Sequence, residues 1–338
     1  MADPQKIILK NSLSPGDIVM LTAAVRDLHK CHPGRFITDV RTPCPHLWEN
    51  NPYITKLDEK AADVTVINCE YPLIHTSNQT PYHFIHGFMD FLNRQLGLNI
   101  RPTSFKGDIH VSAREKSWIS QVHEITGEDT PFWIVVAGGK RDFTIKWWDF
   151  SRFQAVVDHF QGKISFVQIG ENRHHHPGLT GVIDLRGKTD LRQLVRLMYH
   201  AQGVLCPVTL AMHLAAAVET KGGNPRNRPC VVVAGGREPP HWEAYPHHQF
   251  LHTVGALPCC AFGGCWKART VPLGDGDKKD EPAHLCVNPV GSLPKCMDMI
   301  RPSHVIEAIG RYYEGGALKV ATEQNAEQKN EVLELVEA

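Results

Sequence analysis

Hydrophobic positions repeat along this chain with two periods, and the two alternate. Residues 6–10 (KIILK) form a short apolar run, and Ile18, Leu21, Val25 and Leu28 then recur at spacings of three and four, the period of one buried helix face. Between them lies the turn Asn11-Ser12-Leu13-Ser14-Pro15-Gly16, closed by Asp17. The first unit therefore reads as strand, turn and helix, with a carboxylate at the helix start. Strands are expected next at 35–40, 63–69 and 105–111, with a short helical piece in the loop 42–51 and helices at 83–96 and 113–125. The polar stretch 127–131 (GEDTP) marks a boundary. Beyond it the pattern predicts strands at 131–139, 163–170, 181–185, 203–207 and 228–236, with helices at 150–160, 190–200 (capped by Thr189 or Asp190) and 211–218. Strands that alternate with helices imply parallel sheets with crossover helices. The expected architecture is α/β, with two Rossmann-like halves facing across a cleft: 1–128, and 129–300 including a periodicity-poor segment at 257–297. A helix at 302–313 and a polar, mobile tail with a short helix near its end complete the chain within 301–338.

Bulk properties narrow the partners. Thirty-six basic and 36 acidic residues cancel, which argues against nucleic acid or an anionic membrane as the main partner. The start, MADPQKIILKNS, lacks the long apolar region of a signal peptide, and no apolar run is long enough to span a bilayer. A cytoplasmic protein is expected, whose ten cysteines serve as thiols or metal ligands rather than disulfides.

Asp17 suits two roles: capping the helix start, or acting as a base at the carboxyl edge of a sheet, where α/β folds bind ligands. Two apolar strands end alike, in Val135–Lys140 (VVAGGK) and Val232–Arg237 (VVAGGR). Their glycines allow close backbone approach, and Lys140 and Arg237 add charge. A diphosphate site is one reading and an ordinary turn the other. Neither GxGxxG nor the Walker pattern is present. Glu238-Pro239-Pro240-His241-Trp242 reads either as a rigid turn or as a platform for a base, and His174-His175-His176 as a solvated loop.

Three segments then point one way. Leu13-Ser14-Pro15-Gly16-Asp17 with the following helix, Lys146-Trp147-Trp148, and Pro207-Val208-Thr209-Leu210-Ala211-Met212-His213-Leu214-Ala215-Ala216-Ala217 together resemble glycosyltransferase family 9, the ADP-heptose heptosyltransferases. The resemblance implies the GT-B fold, with acceptor on the first half and nucleotide sugar on the second, and an inverting transfer without a catalytic metal. It implies Asp17 as general base, and a donor held by Lys140, Lys146, Glu171, Thr209, His213 and Arg237. The expected partners are a nucleotide-sugar donor, with ADP and heptose favoured, and a hydroxyl acceptor on a glycan, small molecule or protein. A homo-oligomer is compatible with this. Val208 and Leu210 stand where the family has Asp and Gly. Valine cannot bond a sugar hydroxyl, and leucine blocks close backbone approach. A catalytically inactive binding or scaffold relative, and a GT-B epimerase or hydrolase, are therefore the alternatives.

The segment 257–297 holds five of the ten cysteines. Cys260, Cys265, Cys286 and Cys296, with Cys259 competing for the first place, make a four-sulfur set suited to structural zinc or iron. Its apolar content is too low to order so long a loop unaided. The segment is similar in kind to the cysteine-bound iron insert of autotransporter heptosyltransferases.

Overall fold

The structure, a computed structural model, describes residues 3–319. The polar tail expected beyond it lies outside the described residues. The first half opens with β1 (Gln5–Lys10), α1 (Pro15–Cys31), β2 (Phe36–Arg41), β3 (Val64–Asn68) and α2 (Ile85–Leu96), and closes with two short helices, α3 (Ala113–Lys116) and α4 (Gln121–Thr126). Its three strands are parallel in the order β2-β1-β3. The second half holds β4 (Phe132–Val135), α5 (Phe150–His159), β5 (Ser165–Gln168), β6 (Ile183–Asp184), α6 (Leu191–His200), β7 (Gly203–Pro207), α7 (Leu210–Ala217), β8 (Cys230–Gly235), α8 (Pro240–Glu243) and β9 (His248–His252). A small hairpin of β10 (Pro289–Val290) and β11 (Leu293–Pro294) follows, then α9 (Lys295–Asp298) and α10 (Pro302–Glu314).

The six long-range strands of the second half run parallel in the order β6-β5-β4-β7-β8-β9, which is the Rossmann order with its switch point between β4 and β7. Their carboxyl ends carry the Gly138-Gly139-Lys140 turn and Thr209, so both border the crevice this topology reserves for ligands. Side chains alternate as strand geometry requires. Phe132, Ile134 and Val136 join a core shared with the first half, while Trp133, Val135 and Ala137 join a second core under α5 and α10. The first core runs through α1, α2, α7 and the segment Trp242–Tyr245. α7 is apolar on nearly every side, as a helix buried between layers must be.

Two expected elements are absent, each for a visible reason. Residues 105–111 form no strand: they run as a strap, with the Lys106 and Ser104 carbonyls held by the buried Arg26 guanidinium and Gly107 pressed on Val19 and Ala217. One isolated bridge, Ile109 to Val218, is their only ladder contact. The helix expected at 113–125 is two helices, because Ser112 and Ser120 each cap a separate start. β9 was not expected. Its HQFLH sequence is too polar to stand out and is recruited by pairing with β8.

Candidate active site

The start of α1 lies against the start of α7. A Cβ on Gly16 would stand 3.1 Å from the His213 ring and 4.0 Å from the Leu210 Cα, so glycine is what permits the approach. Ser14, the N-cap of α1, makes no side-chain bond to its own helix. Its hydroxyl instead accepts a hydrogen bond of 2.9 Å from Lys140 Nζ of the second half. Asp17, in the first turn, accepts a 2.5 Å hydrogen bond at Oδ1 from the Tyr71 hydroxyl. Burial raises the Asp17 carboxyl above its ordinary range, against the opposing Tyr71 hydrogen bond and Lys146 charge.

Lys146 Nζ sits 2.6 Å from Glu238 Oε1, and Arg237 shares that oxygen. Burial works against the Glu238 charge, but Arg237 and Lys146 outweigh it and hold the carboxyl below its usual range. Two cations facing one carboxylate leave a net positive charge. Arg237 is held flat between the Phe143 and Trp266 rings, 5.0 and 5.1 Å from their centroids, with Nε donating to the Lys267 carbonyl. Thr209 caps α7 by position only: its hydroxyl is buried and has no partner. A helix start with free N–H groups and an unused hydroxyl is a ready anion site. Glu238 Oε2, Glu243 Oε2 and Trp147 Nε1 are likewise buried without a hydrogen-bond partner, and a native protein rarely leaves such atoms unmatched unless something else binds them.

His213 lies inside. Its Nδ1 is 2.8 Å from the Tyr245 hydroxyl and its Nε2 is 3.6 Å from Glu243 Oε2. Burial, with Lys146 adding to it, pushes His213 down to about 3. The ring is neutral at pH 7 and gives no charge to a phosphate; it fills the joint between Gly16 and Glu243. Burial, reinforced by Glu238, pushes Glu243 up to about 8, leaving a neutral acid that can donate a hydrogen bond.

Other expected residues fall differently. Glu171 is exposed on the loop after β5, with His174 its ion-pair partner at 3.5 Å, apart from the Asp17–Lys146–Glu238 group. The paired glycines meet the chain itself. A Cβ on Gly138 would strike the His175 carbonyl at 2.0 Å, one on Gly235 the Met297 sulfur at 2.6 Å, and one on Gly236 the Cys260 sulfur at 3.1 Å. His175 pairs with Gly139 and stacks on Trp147 at 4.5 Å, so the histidine run packs rather than floats. Trp242 is buried and stacked on Phe84 at 5.2 Å, which makes it a joint between the halves and not a base platform. Tyr71 and Glu243 are not singled out by sequence, and Glu238 stands out only as part of a turn. Tyr71 and Glu238 both carry a signal, because each follows a strand, β3 or β8, at the carboxyl edge of a sheet.

Beside Tyr71, at the ends of β1, β2 and β3, a cavity of about 960 Å³ is lined by residues including Asn11, Arg41, Glu70, Tyr71 and His75. Cys259, Cys260, Cys265, Cys286 and Cys296 line a second, tiny cavity of about 10 Å³, with Lys267 and Lys295 at its wall. Burial pushes Cys265 up to about 11 and Cys296 up to about 12, and neighbouring thiols add to both. Among the described residues, no three His, Cys, Asp or Glu side chains are arranged so as to hold a metal.

The model of glycosyltransferase family 9 (heptosyltransferase) matches residues 74–222. The match runs from the loop before α2 past α7 and includes Lys140, Lys146, Glu171, Thr209 and His213. Less than half of the chain is matched, and over that stretch it is similar to the family 9 glycosyltransferases. Solved structures agree in fold. A family 9 glycosyl transferase from Veillonella parvula superposes with a TM-score of 0.54 at 16% identity, covering 74% of this chain and 86% of its own. The E. coli ADP-heptose lps heptosyltransferase II gives 0.54 at 16% identity, over 90% and 97%. The dodecameric iron-containing heptosyltransferase TibC, solved with ADP-D-beta-D-heptose, gives 0.58 at 14% identity, over 93% and 77%. No curated protein matches by sequence. Asp17, Arg237 and the five clustered cysteines lie outside the matched stretch. No helix among the described residues is long and apolar enough to cross a membrane.

Proposed function

We propose that the protein moves a sugar from a nucleoside diphosphate onto an acceptor hydroxyl with inversion, and that the donor is ADP-linked heptose, as in the heptosyltransferases whose fold it shares. One observation carries this reading: the contact of two helix starts, one bearing Asp17 and the other the unpartnered Thr209 hydroxyl. Asp17 takes the proton of the acceptor hydroxyl as its oxygen bonds to the anomeric carbon. The bond from that carbon to the diphosphate breaks, and the oxygen leaves with the electron pair. The growing negative charge is met by Thr209, the N–H groups of α7, and the surplus charge of Lys146 and Arg237. Lys140 reaches the same edge through Ser14. His213 supports this site as a neutral packing residue, and Glu171 contributes only from the rim. The acceptor enters the first half, 1–128, by the cavity beside Tyr71, and the donor enters the second, 129–300.

We further propose a structural zinc or iron at the cysteine cluster, on the ground that five cysteines line one cavity. Cys260, Cys265, Cys286 and Cys296, with Cys259 as competitor, supply thiolates, and Lys267 and Lys295 would balance their charge. Such a metal would pin the insert against Gly236 and take no part in transfer. Metal content by elemental analysis tests it.

The donor is tested by melting temperature with ADP, UDP, GDP, CDP and ADP-heptose, since a ligand that binds only the folded state raises stability. A rise with ADP and ADP-heptose alone supports the reading. A rise with another nucleotide replaces the donor, and no rise at saturating concentration transfers the case to a non-catalytic relative.

A further inference from the structure

Asp17 is held by a residue from another element, and that residue is built into place. Tyr71 follows β3, and its ring is tilted on Phe84 at 4.7 Å and edge-on to Phe88 at 5.1 Å. Gly87 on α2 leaves the room it needs: a Cβ there would meet the Tyr71 Cβ at 2.8 Å. From this socket the hydroxyl reaches Asp17 Oδ1 at 2.5 Å. We infer that Tyr71 is the positioning residue of the transfer reaction, fixing the Asp17 carboxylate by Oδ1 so that Oδ2 takes the acceptor proton. The inference rests on the reading of Asp17 as base.

The physical case is one of charge and orientation. The backbone at Ser14 and Asp17 also bonds the Asp17 carboxyl, and the Tyr71 hydroxyl adds a side-chain bond from a different element; a base must lie within hydrogen-bond reach of its proton. The Tyr71 hydroxyl also stabilises the ionised form. The groups around Asp17 set the balance. Lys146 favours its charge, while Glu243 is neutral but would repel it once ionised, Glu238 is screened by Lys146 and Arg237, and His213 is neutral. Without the hydroxyl, burial acts with less opposition. The Asp17 titration midpoint then moves up, and the protonated, inactive fraction grows at neutral pH.

The test uses the full chain with Tyr71→Phe, which keeps the ring packing. Tyr71→Met serves as a second filler if the phenylalanine variant folds poorly. Selective ¹³C labelling of aspartate carboxyls follows Asp17, assigned by the signal lost in Asp17→Asn. Release of ADP from ADP-heptose, with water as acceptor, gives a pH profile alongside. The expected result is a midpoint higher by about one pH unit, as loss of a hydrogen bond to a charged group entails, with the acid limb of ADP release moving equally. ADP release should also fall above the limb, because a base no longer fixed in place is less often within reach of its proton. An unmoved midpoint and limb overturn the role of Tyr71. Undiminished ADP release by Asp17→Asn overturns instead the reading of Asp17 as base, and the titration still decides whether Tyr71 holds the carboxylate.

Discussion

At the scale of single residues, the site is a balance of charges held out of water. Asp17→Asn keeps the shape and the Tyr71 partner but cannot accept a proton. We expect ADP release from ADP-heptose to fall at least about a hundredfold, the usual worth of a general base, while ADP still raises the melting temperature as in the parent. Unchanged release would remove Asp17 from the chemistry. Glu243 gives a second, independent test. Its carboxyl is pushed up to about 8 in the fold, whereas an unfolded chain releases that proton near 4.3. The folded state therefore holds more protons between these values. The stability this group gives is complete below the lower value and is lost as pH rises through the higher. Glu243→Gln carries no such proton. The melting temperature of the variant should gain on the parent steadily from about pH 4.5 to about pH 8, and parallel curves would contradict the assignment.

At the scale of elements, the insert shows how a loop without an apolar core is ordered. Its low hydrophobic content raises the expectation of a metal; five cysteines line one cavity, but among the described residues no three side chains are arranged to hold an ion. A second device was invisible in sequence. Arg269, with no exposed surface, binds Asp275 at 2.7 Å and Asp280 at 2.6 Å, with Asp277 3.7 Å away. In the sequence these aspartates look like a solvated charge run, because nothing in spacing reveals a buried arginine at their centre. Arg269→Met should leave the aspartates facing one another. With their partial exposure, we expect a loss of stability smaller than that of breaking a fully buried pair. Limited proteolysis should then open sites within 271–288 before the rest of the chain is cut, and an unchanged digest would show that the arginine is dispensable. The same contrast explains what was legible. The α1, α7 and strand patterns were read correctly because burial of one face imposes a period. The strap at 105–111 and the polar β9 take their form from Arg26 and from β8, partners far away in sequence. Tyr71 and Glu238 stand on loops and Glu243 ends the four-residue α8, where position depends on packing and leaves no period.

At the scale of the molecule, two sheets do not make two independent bodies. One face of the second sheet shares its hydrophobic core with α1 and α2 of the first half. The joint is specific. The Phe84 N–H donates to the Trp242 carbonyl at 2.8 Å, the two rings stack, and Tyr245 meets both His213 and Met20. The groups of the proposed site sit in this joint, since Asp17 belongs to one half and Thr209, Lys146 and Glu238 to the other. A shared core fixes their spacing more tightly than a flexible link would, as catalytic geometry demands. It also couples unfolding. Were the halves separate, each would melt alone, with its own core. Exposing either here strips apolar surface from both, so the described body should melt in one transition with calorimetric and van't Hoff enthalpies in agreement. Trp242→Ala, which removes a buried ring from the joint, should cost about 3–5 kcal/mol and separate the transition into two. A variant that still melts in one transition close to the parent temperature, or a parent that already melts in two, would show that the halves hold together by something other than this core.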